Sequence, residues 1–237
     1  METLDLAGDD GRGPLVLLHE GLGSVLLWRG LPERLAEATG RRTVAFSRFG
    51  HGESGPPPKP RTPAFMHEEA REVLPELLTA LGIERPVLVG HSDGASIALL
   101  YAAEHDVEAL ALLAPHVFVE EETLRGIRAA RDAFANGDLR ERLARRHRDP
   151  DVAFHGWCDV WLDAAFRGWN IEAAADRVTA PALLVQGDDD EYGTMAQIDS
   201  IARRLRGPVT RLALPGGHSP HLEHPDTVVA AIAKLIA

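Results

Sequence analysis

The 237 residues contain one cysteine, Cys158, so no disulfide can form within the chain. That fits a reducing compartment. No stretch approaches the roughly 18 consecutive apolar residues that a membrane span requires. The opening "METLDLAGDDGRG" has no basic segment followed by an apolar one, so no secretory leader is read there and the expected location is cytoplasmic. There is no internal repeat, no low-complexity segment and no acidic tail. The net charge is −11, yet the acids are dispersed through "EEAREVLPE", "VEEETL" and "GDDDE", which argues against disorder. An acidic surface repels phosphate backbones and anionic lipid, so neither nucleic acid nor a membrane is an expected partner. The composition, 45% hydrophobic and 26% charged, suits one soluble domain, or a domain with a small insertion, that can bury a sizeable core.

Short apolar runs alternate with helical stretches. "PLVLLHEG", "RTVAFSRFG", "RPVLVGHS", "EALALLAP", "APALLVQGDDDEYG" and "VTRLALPGGH" each read as a buried strand running into a loop. Between them, Trp28 to Thr39 reads as a helix ended by Gly40. Met66 to Leu81 carries Ala70, Val73, Leu74, Leu77, Leu78 and Leu81 at helical spacing, and is ended by Gly82. Pro75 is expected to kink that helix. Continuous Val/Leu strands separated by helices imply an α/β fold, with a mostly parallel central sheet covered by helices on both faces.

The alternation breaks between His116 and about Arg177, where no strand is read. "EETLRGIRAARDAFANG", "DLRERLARRH" and "VAFHGWCDVWLDAAFRGWN" are helical, and the last holds Trp157, Trp161 and Trp169. An insertion of this kind suits a small helical cap over the carboxyl edge of the sheet, where open α/β sheets bind ligands. The expected division is a core of residues 1–115 and 178–237 with a cap insertion of 116–177. Each tryptophan either lines the site or merely joins the cap to the body.

The segment "VLVGHSDGAS" carries chemistry. Gly90-His91-Ser92-Asp93-Gly94 fits G-x-S-x-G between a strand and a helix, the turn that lifts a serine hydroxyl above a sheet edge. So sharp a turn leaves little room beside it, hence the glycines. A serine that only caps the helix is the plainer alternative. A nucleophilic serine needs a base. "LPGGHSPHLEHP", after the last strand, offers His218 directly behind the glycines; His221 and His224, at the start of the final helix, suit the surface or packing. The histidine needs an acid. The strand before the insertion leads to no carboxylate until Glu120, whereas the strand after it leads to four in "VQGDDDEYG".

Taken together, "LLHEGLGS", "FSRFGHGESG", "GHSDGA", "LLVQGDDDEY" and "GGHSPHLEHP" resemble, in order, the α/β-hydrolase fold over essentially the whole chain. That resemblance implies a Ser-Asp-His triad, an oxyanion hole and a lid. Its acid commonly stands third after the glycine ending the strand, which selects Asp190 over Asp189. It also implies two backbone N–H donors for the oxyanion, one from Asp93 and one from the loop after an early strand, here Gly21. The family often has His-Gly where this chain has His19-Glu20. A carboxylate aimed at an oxyanion is costly, so Glu20 either turns away or has another role. His19 and the turn "GHGESG" are read as structural supports. The expectation is a carboxylesterase-like serine hydrolase. It would cleave a carboxylic ester or related acyl bond of a small molecule through an acyl-enzyme, with Ser92, Asp190 and His218 catalytic and no metal or organic cofactor. A C–C bond hydrolase or lactonase with the same triad, or a non-catalytic binding protein of the same fold, is the alternative.

Overall fold

The computed structural model describes residues 1–9 and 11–237; Asp10, in the N-terminal stretch read above, lies outside them. The strands are β1 (Thr3–Leu6), β2 (Leu15–Leu18), β3 (Thr43–Phe46), β4 (Val87–His91), β5 (Ala109–Leu113), β6 (Ala182–Gly187) and β7 (Val209–Leu214). They form one sheet in the order β1-β3-β2-β4-β5-β6-β7. All neighbouring pairs are parallel except β1 with β3. The sequence reading missed β1. Its four residues sit half-exposed at the sheet edge and are held by a long-range partner, and Arg42 grips its Asp5.

Alternate side chains of the strands enter two separate apolar layers, as a pleat requires. Val16, Leu18, Val44, Phe46, Leu88, Leu110, Leu112 and Leu184 face one layer; Leu15, Leu17, Val87, Val89, Ala111, Leu113 and Val185 face the other. The second layer is closed by α1 (Leu31–Thr39) and α10 (Pro225–Leu235) through Leu31, Leu35, Val228 and Ile232. Helix α1 begins at Leu31 and not at Trp28. Val25–Trp28 is a separate 3₁₀ turn, and Arg29 and Gly30 take left-handed conformations that break the helical path.

The first layer is closed by α4 (Asp93–Ala102), α9 (Ala196–Arg204) and a helix in three parts. Those parts are α2 (Phe65–Glu68), a π-helical turn (Glu69–Val73) and α3 (Leu74–Ala80). The expected disturbance at Pro75 is this widened turn. It lies just ahead of a ring that would otherwise crowd the carbonyl four residues back. Between β5 and β6 the chain adds α5 (Glu121–Asn136), α6 (Leu139–Ala144), α7 (Pro150–Leu162) and α8 (Glu172–Ala175). Apart from an isolated bridge of Phe118 with Asn170, the described residues of this stretch hold no strand. No helix among the described residues is long and apolar enough to cross a membrane.

The helix α4 lies so close to the sheet that two positions tolerate no side chain. A Cβ at Gly90 would overlap the backbone of Ala95, and one at Gly94 would overlap the Leu18 carbonyl of β2. Rigid backbone stands on both sides, so relief requires moving α4 off the sheet. Gly94→Ala should therefore lower stability by about 3 kcal/mol or more, at the upper end for single substitutions. For a chain of this size that is a melting point lower by roughly 6–12 °C. Thermal unfolding of the variant checks it. A shift under about 2 °C would show that the close approach is not required.

Candidate active site

The loops that follow β2, β4, β5, β6 and β7 converge at the carboxyl edge of the sheet, where they bring Gly21, Ser92, His116, Tyr192 and His218 to one cavity. Its volume is about 300 Å³. Helices α5 and α7 cover it with Ile127, Trp157 and Trp161.

Ser92 has φ 53° and ψ −119°, a left-handed conformation that side chains rarely adopt. Its own N–H donates to Leu113 O at 2.9 Å, and its carbonyl accepts from Ala95 and Ser96, which starts α4. The residue is thus fixed from both neighbouring elements while its side chain borders the cavity. Strain of this kind, of order 1–3 kcal/mol, persists only where the surroundings over-determine it.

His218 and Asp190 meet directly. His218 Nδ1 lies 2.8 and 2.9 Å from the two Asp190 oxygens, and the Asp190 side chain is fully buried. With Nδ1–H donating, Nε2 is left as an acceptor. Asp190 is itself held by the N–H groups of Tyr192 (2.8 Å) and Gly193 (3.1 Å) and by Gln186 Nε2 (2.6 Å). Asp189 is exposed, and its backbone N–H serves Gly216 O. Glu120 is engaged elsewhere, by Thr194 and Gln197. Burial alone would push the His218 imidazole down, but the Asp190 carboxylate outweighs it and holds the group above its ordinary value. Burial would raise Asp190, yet the bond from His218 keeps it below the usual carboxylate range.

His221 is buried edge-on against His91 and does not reach Asp190, and His224 is tied to the Pro215 carbonyl. Burial pushes His221, and likewise His116, down to about 3. Both are neutral at ordinary pH.

The loop after β2 is pinned by three histidines at successive carbonyls. His19 Nδ1–H donates to Glu20 O at 2.7 Å, His51 Nε2–H to Gly21 O at 2.9 Å, and His147 Nε2–H to Leu22 O at 2.9 Å. Arg48 adds a second bond to Glu20 O at 2.9 Å. In a trans peptide the N–H points opposite to the carbonyl that precedes it. With Glu20 O turned to His19 and Arg48, the Gly21 N–H faces the other side, where Gly21 borders the cavity. Leu22 N–H, on the side opposite His51, is taken by the Glu20 carboxylate at 2.5 Å. Among the described residues, neither Gly21 N–H nor Asp93 N–H has an acceptor. Glu20 therefore does not turn away; its carboxylate stays on the cavity side. His19 and the turn from Gly50 to Gly55 are supports, as the sequence suggests.

Trp157 and Trp161 line the cavity. Trp157 presses on Gly21, where any Cβ would overlap the indole, and Trp161 Nε1 donates to Asp93 Oδ1 at 3.2 Å. Trp169 stacks on Phe166 and belongs to packing. The sequence reading missed His116, Tyr192 and Glu191 as lining residues and His147 as a support. His116 stands three residues after the end of β5, the one position signal available for it.

The His218–Asp190 contact makes a direct prediction. In NMR titration, the His218 imidazole should have its midpoint above the ordinary value of about 6.5. In Asp190→Asn, only the weaker pull of Glu191 and Glu20 still opposes burial, so the midpoint should fall from its wild-type position. An unchanged midpoint in the variant would contradict the cause assigned here.

The sequence model of a family described as the alpha/beta hydrolase fold matches residues 13–167. The serine hydrolase BPHL of Homo sapiens is 26% identical over 197 residues, which cover 77% of this chain and 65% of that protein. The chain thus spans about two-thirds, or slightly less, of that relative's length. A proline iminopeptidase of Lactobacillus delbrueckii subsp. bulgaricus is 30% identical over 97 residues, covering 41% of this chain and 33% of that one. Among solved structures, the esterase EaEST from Exiguobacterium antarcticum superposes with a TM-score of 0.77 at 17% identity, covering 99% of this chain and 94% of that one. The enol-lactonase from Burkholderia xenovorans LB400 gives 0.76 at 21% identity, covering 99% and 95%. The sheet order, the strained serine after β4 and the matched residues have one conclusion: the chain belongs to the alpha/beta hydrolase fold family.

Proposed function

We propose that the protein is a serine hydrolase that cleaves a carboxylic ester, or a related acyl bond, of a small molecule. The observation that carries this reading is the 2.8 Å contact of His218 Nδ1 with a fully buried Asp190, in a loop that lines the same cavity as strained Ser92. Ser92 Oγ attacks the carbonyl carbon while His218 Nε2 takes its proton. The tetrahedral oxyanion accepts hydrogen bonds from the N–H groups of Asp93 and Gly21. The intermediate collapses to an acyl-enzyme as His218 protonates the leaving oxygen or nitrogen. Water then attacks the acyl carbon, giving its proton to His218, and collapse returns that proton to Ser92 and releases the acid. Asp190 holds the Nδ1–H tautomer throughout and stabilises the cation that forms twice in each cycle. Residues 116–177 act as the cap in this reading, since they supply the indoles that close the cavity.

Ser92→Ala should remain folded and lose at least about 10³-fold in kcat on p-nitrophenyl acetate, because the nucleophile is gone. Retention of a tenth of the wild-type rate contradicts the role. Asp190→Asn should lose at least about 100-fold, since the asparagine favours the wrong tautomer. Asp189→Asn, an exposed change, should lose less than about tenfold. A larger loss in Asp189→Asn than in Asp190→Asn would reassign the acid.

A further inference from the structure

His116 lines the cavity and has no part in the acyl-transfer steps. Only 2% of it is exposed. Its ring makes no hydrogen bond among the described residues, and Nδ1 is buried. Its backbone, by contrast, is fixed. His116 N–H donates to Ser96 Oγ at 3.3 Å, and the Ser96 hydroxyl donates to His116 O at 2.6 Å. Ser96 belongs to α4, the helix that also seats Ser92. Two residues ahead of His116, Ala114 takes a left-handed φ of 46°, uncommon where a side chain is present, and its N–H is held by Val185 O at 2.8 Å. Strain of this kind persists only where the surroundings over-determine it, and it gathers at sites of function.

Most other polar groups of the cavity are spent on the protein itself. Trp161 Nε1 donates to Asp93, the Thr123 hydroxyl to Tyr192 O, Leu22 N–H to Glu20 and His218 N–H to Glu191. Asp93 Oδ2 is unbonded but lies in the field of Arg48 and Arg61. Burial holds the His116 imidazole down at about 3, so it is neutral and carries one donor and one acceptor nitrogen. Leaving both unpaired in a buried place is costly. Trp161 walls the ring edge-on, 5.2 Å away between centroids, and Gly193 closes another side, where a Cβ would stand 3.2 Å from Cε1. The His218 ring is 5.6 Å away between centroids. These neighbours disfavour an ionic partner. A cation would oppose the imidazolium that forms on His218, and an anion would meet Asp190, whose charge reaches the His116 ring. A hydroxyl is neutral and both donates and accepts, so it pairs with either nitrogen in either tautomer.

We propose that the cavity selects esters that carry a free hydroxyl group on the acyl or the alcohol part, with the neutral His116 ring as the hydrogen-bond partner of that hydroxyl. For turnover, this rests on the serine hydrolase reading above. A site built to bond a hydroxyl discriminates against an isostere that lacks it, because its own polar groups are then left unpaired. Ile127, Trp157 and Trp161 give the cavity apolar walls, which sharpen that penalty by excluding water from the ring. A volume of about 300 Å³ suits a small hydroxylated ester.

Esters paired as hydroxyl against methyl, groups of similar size, test this. The pairs are ethyl 2-hydroxybutanoate with ethyl 2-methylbutanoate, ethyl 3-hydroxybutanoate with ethyl 3-methylbutanoate, and 2-hydroxyethyl butanoate with propyl butanoate. In at least one pair, kcat/KM should be at least about tenfold higher for the hydroxy ester. His116→Phe should cut that ratio at least about fivefold. A general disturbance of the site slows both members of a pair and leaves their ratio, so the ratio isolates the hydrogen bond. A second readout needs no variant of His116. In Ser92→Ala protein, the NMR signals of the His116 ring nitrogens should shift with at least one hydroxy ester well beyond the shift with its methyl counterpart. Equal rates within every pair, or a ratio unchanged in His116→Phe, overturn the proposal and leave the hydrolase reading standing. Ring nitrogens that respond alike to both members of every pair overturn it whatever the rates. A response to a hydroxy ester, with no ester cleaved by wild-type protein, upholds hydroxyl recognition and overturns the hydrolase reading.

Discussion

The site depends on one tight contact, the seating of α4 against the end of the sheet. Because Gly90 and Gly94 leave no gap to Ala95 and to the Leu18 carbonyl, the chain between them must turn within a few residues. Ser92 takes the cost as a left-handed backbone. Leu18 pairs with Gly90 in the sheet, so the same contact that bends β4 into α4 also sets where the loop after β2 begins. The hydroxyl, the first free N–H of α4 and the Glu20–Leu22 loop are therefore placed by one piece of packing.

The histidines around the site divide by their surroundings. His19, His51 and His147 are pushed down by burial, with Arg48 and Arg61 adding to the effect at His19 and His51, and burial outweighs the carbonyl bonds of His19 and His147 that act the other way. His218 is equally enclosed but meets a carboxylate, and its affinity for a proton rises. His218 therefore takes up a proton more readily than any of the three loop supports.

Much of this was legible in the sequence because it is local. The glycines around Ser92, the apolar runs and the glycines ahead of His218 each declare a strand ending in a sharp turn. Choosing Asp190 over Asp189 needed the family's spacing, and in the structure the strand end turns Asp190 inward and leaves Asp189 exposed. Other features were out of reach because they join distant parts of the chain. β1 exists only through β3, and His147 reaches Leu22 across 125 positions. Trp161 meets Asp93 across 68. The helix start at Leu31 turns on two left-handed residues that composition does not announce. The bond from Leu22 N–H to the Glu20 carboxylate likewise depends on distant residues, because His51 and His147 hold the neighbouring carbonyls.

The central claim, that Ser92 is the nucleophile of this cavity, is tested most directly by a fluorophosphonate that modifies activated serines. The protein is labelled, digested and mapped by mass spectrometry while residual ester turnover is followed. The account predicts one adduct per chain, on Ser92, with turnover lost in proportion to labelling and no adduct in Ser92→Ala. Labelling at another residue, or full turnover by protein labelled at Ser92, would contradict it.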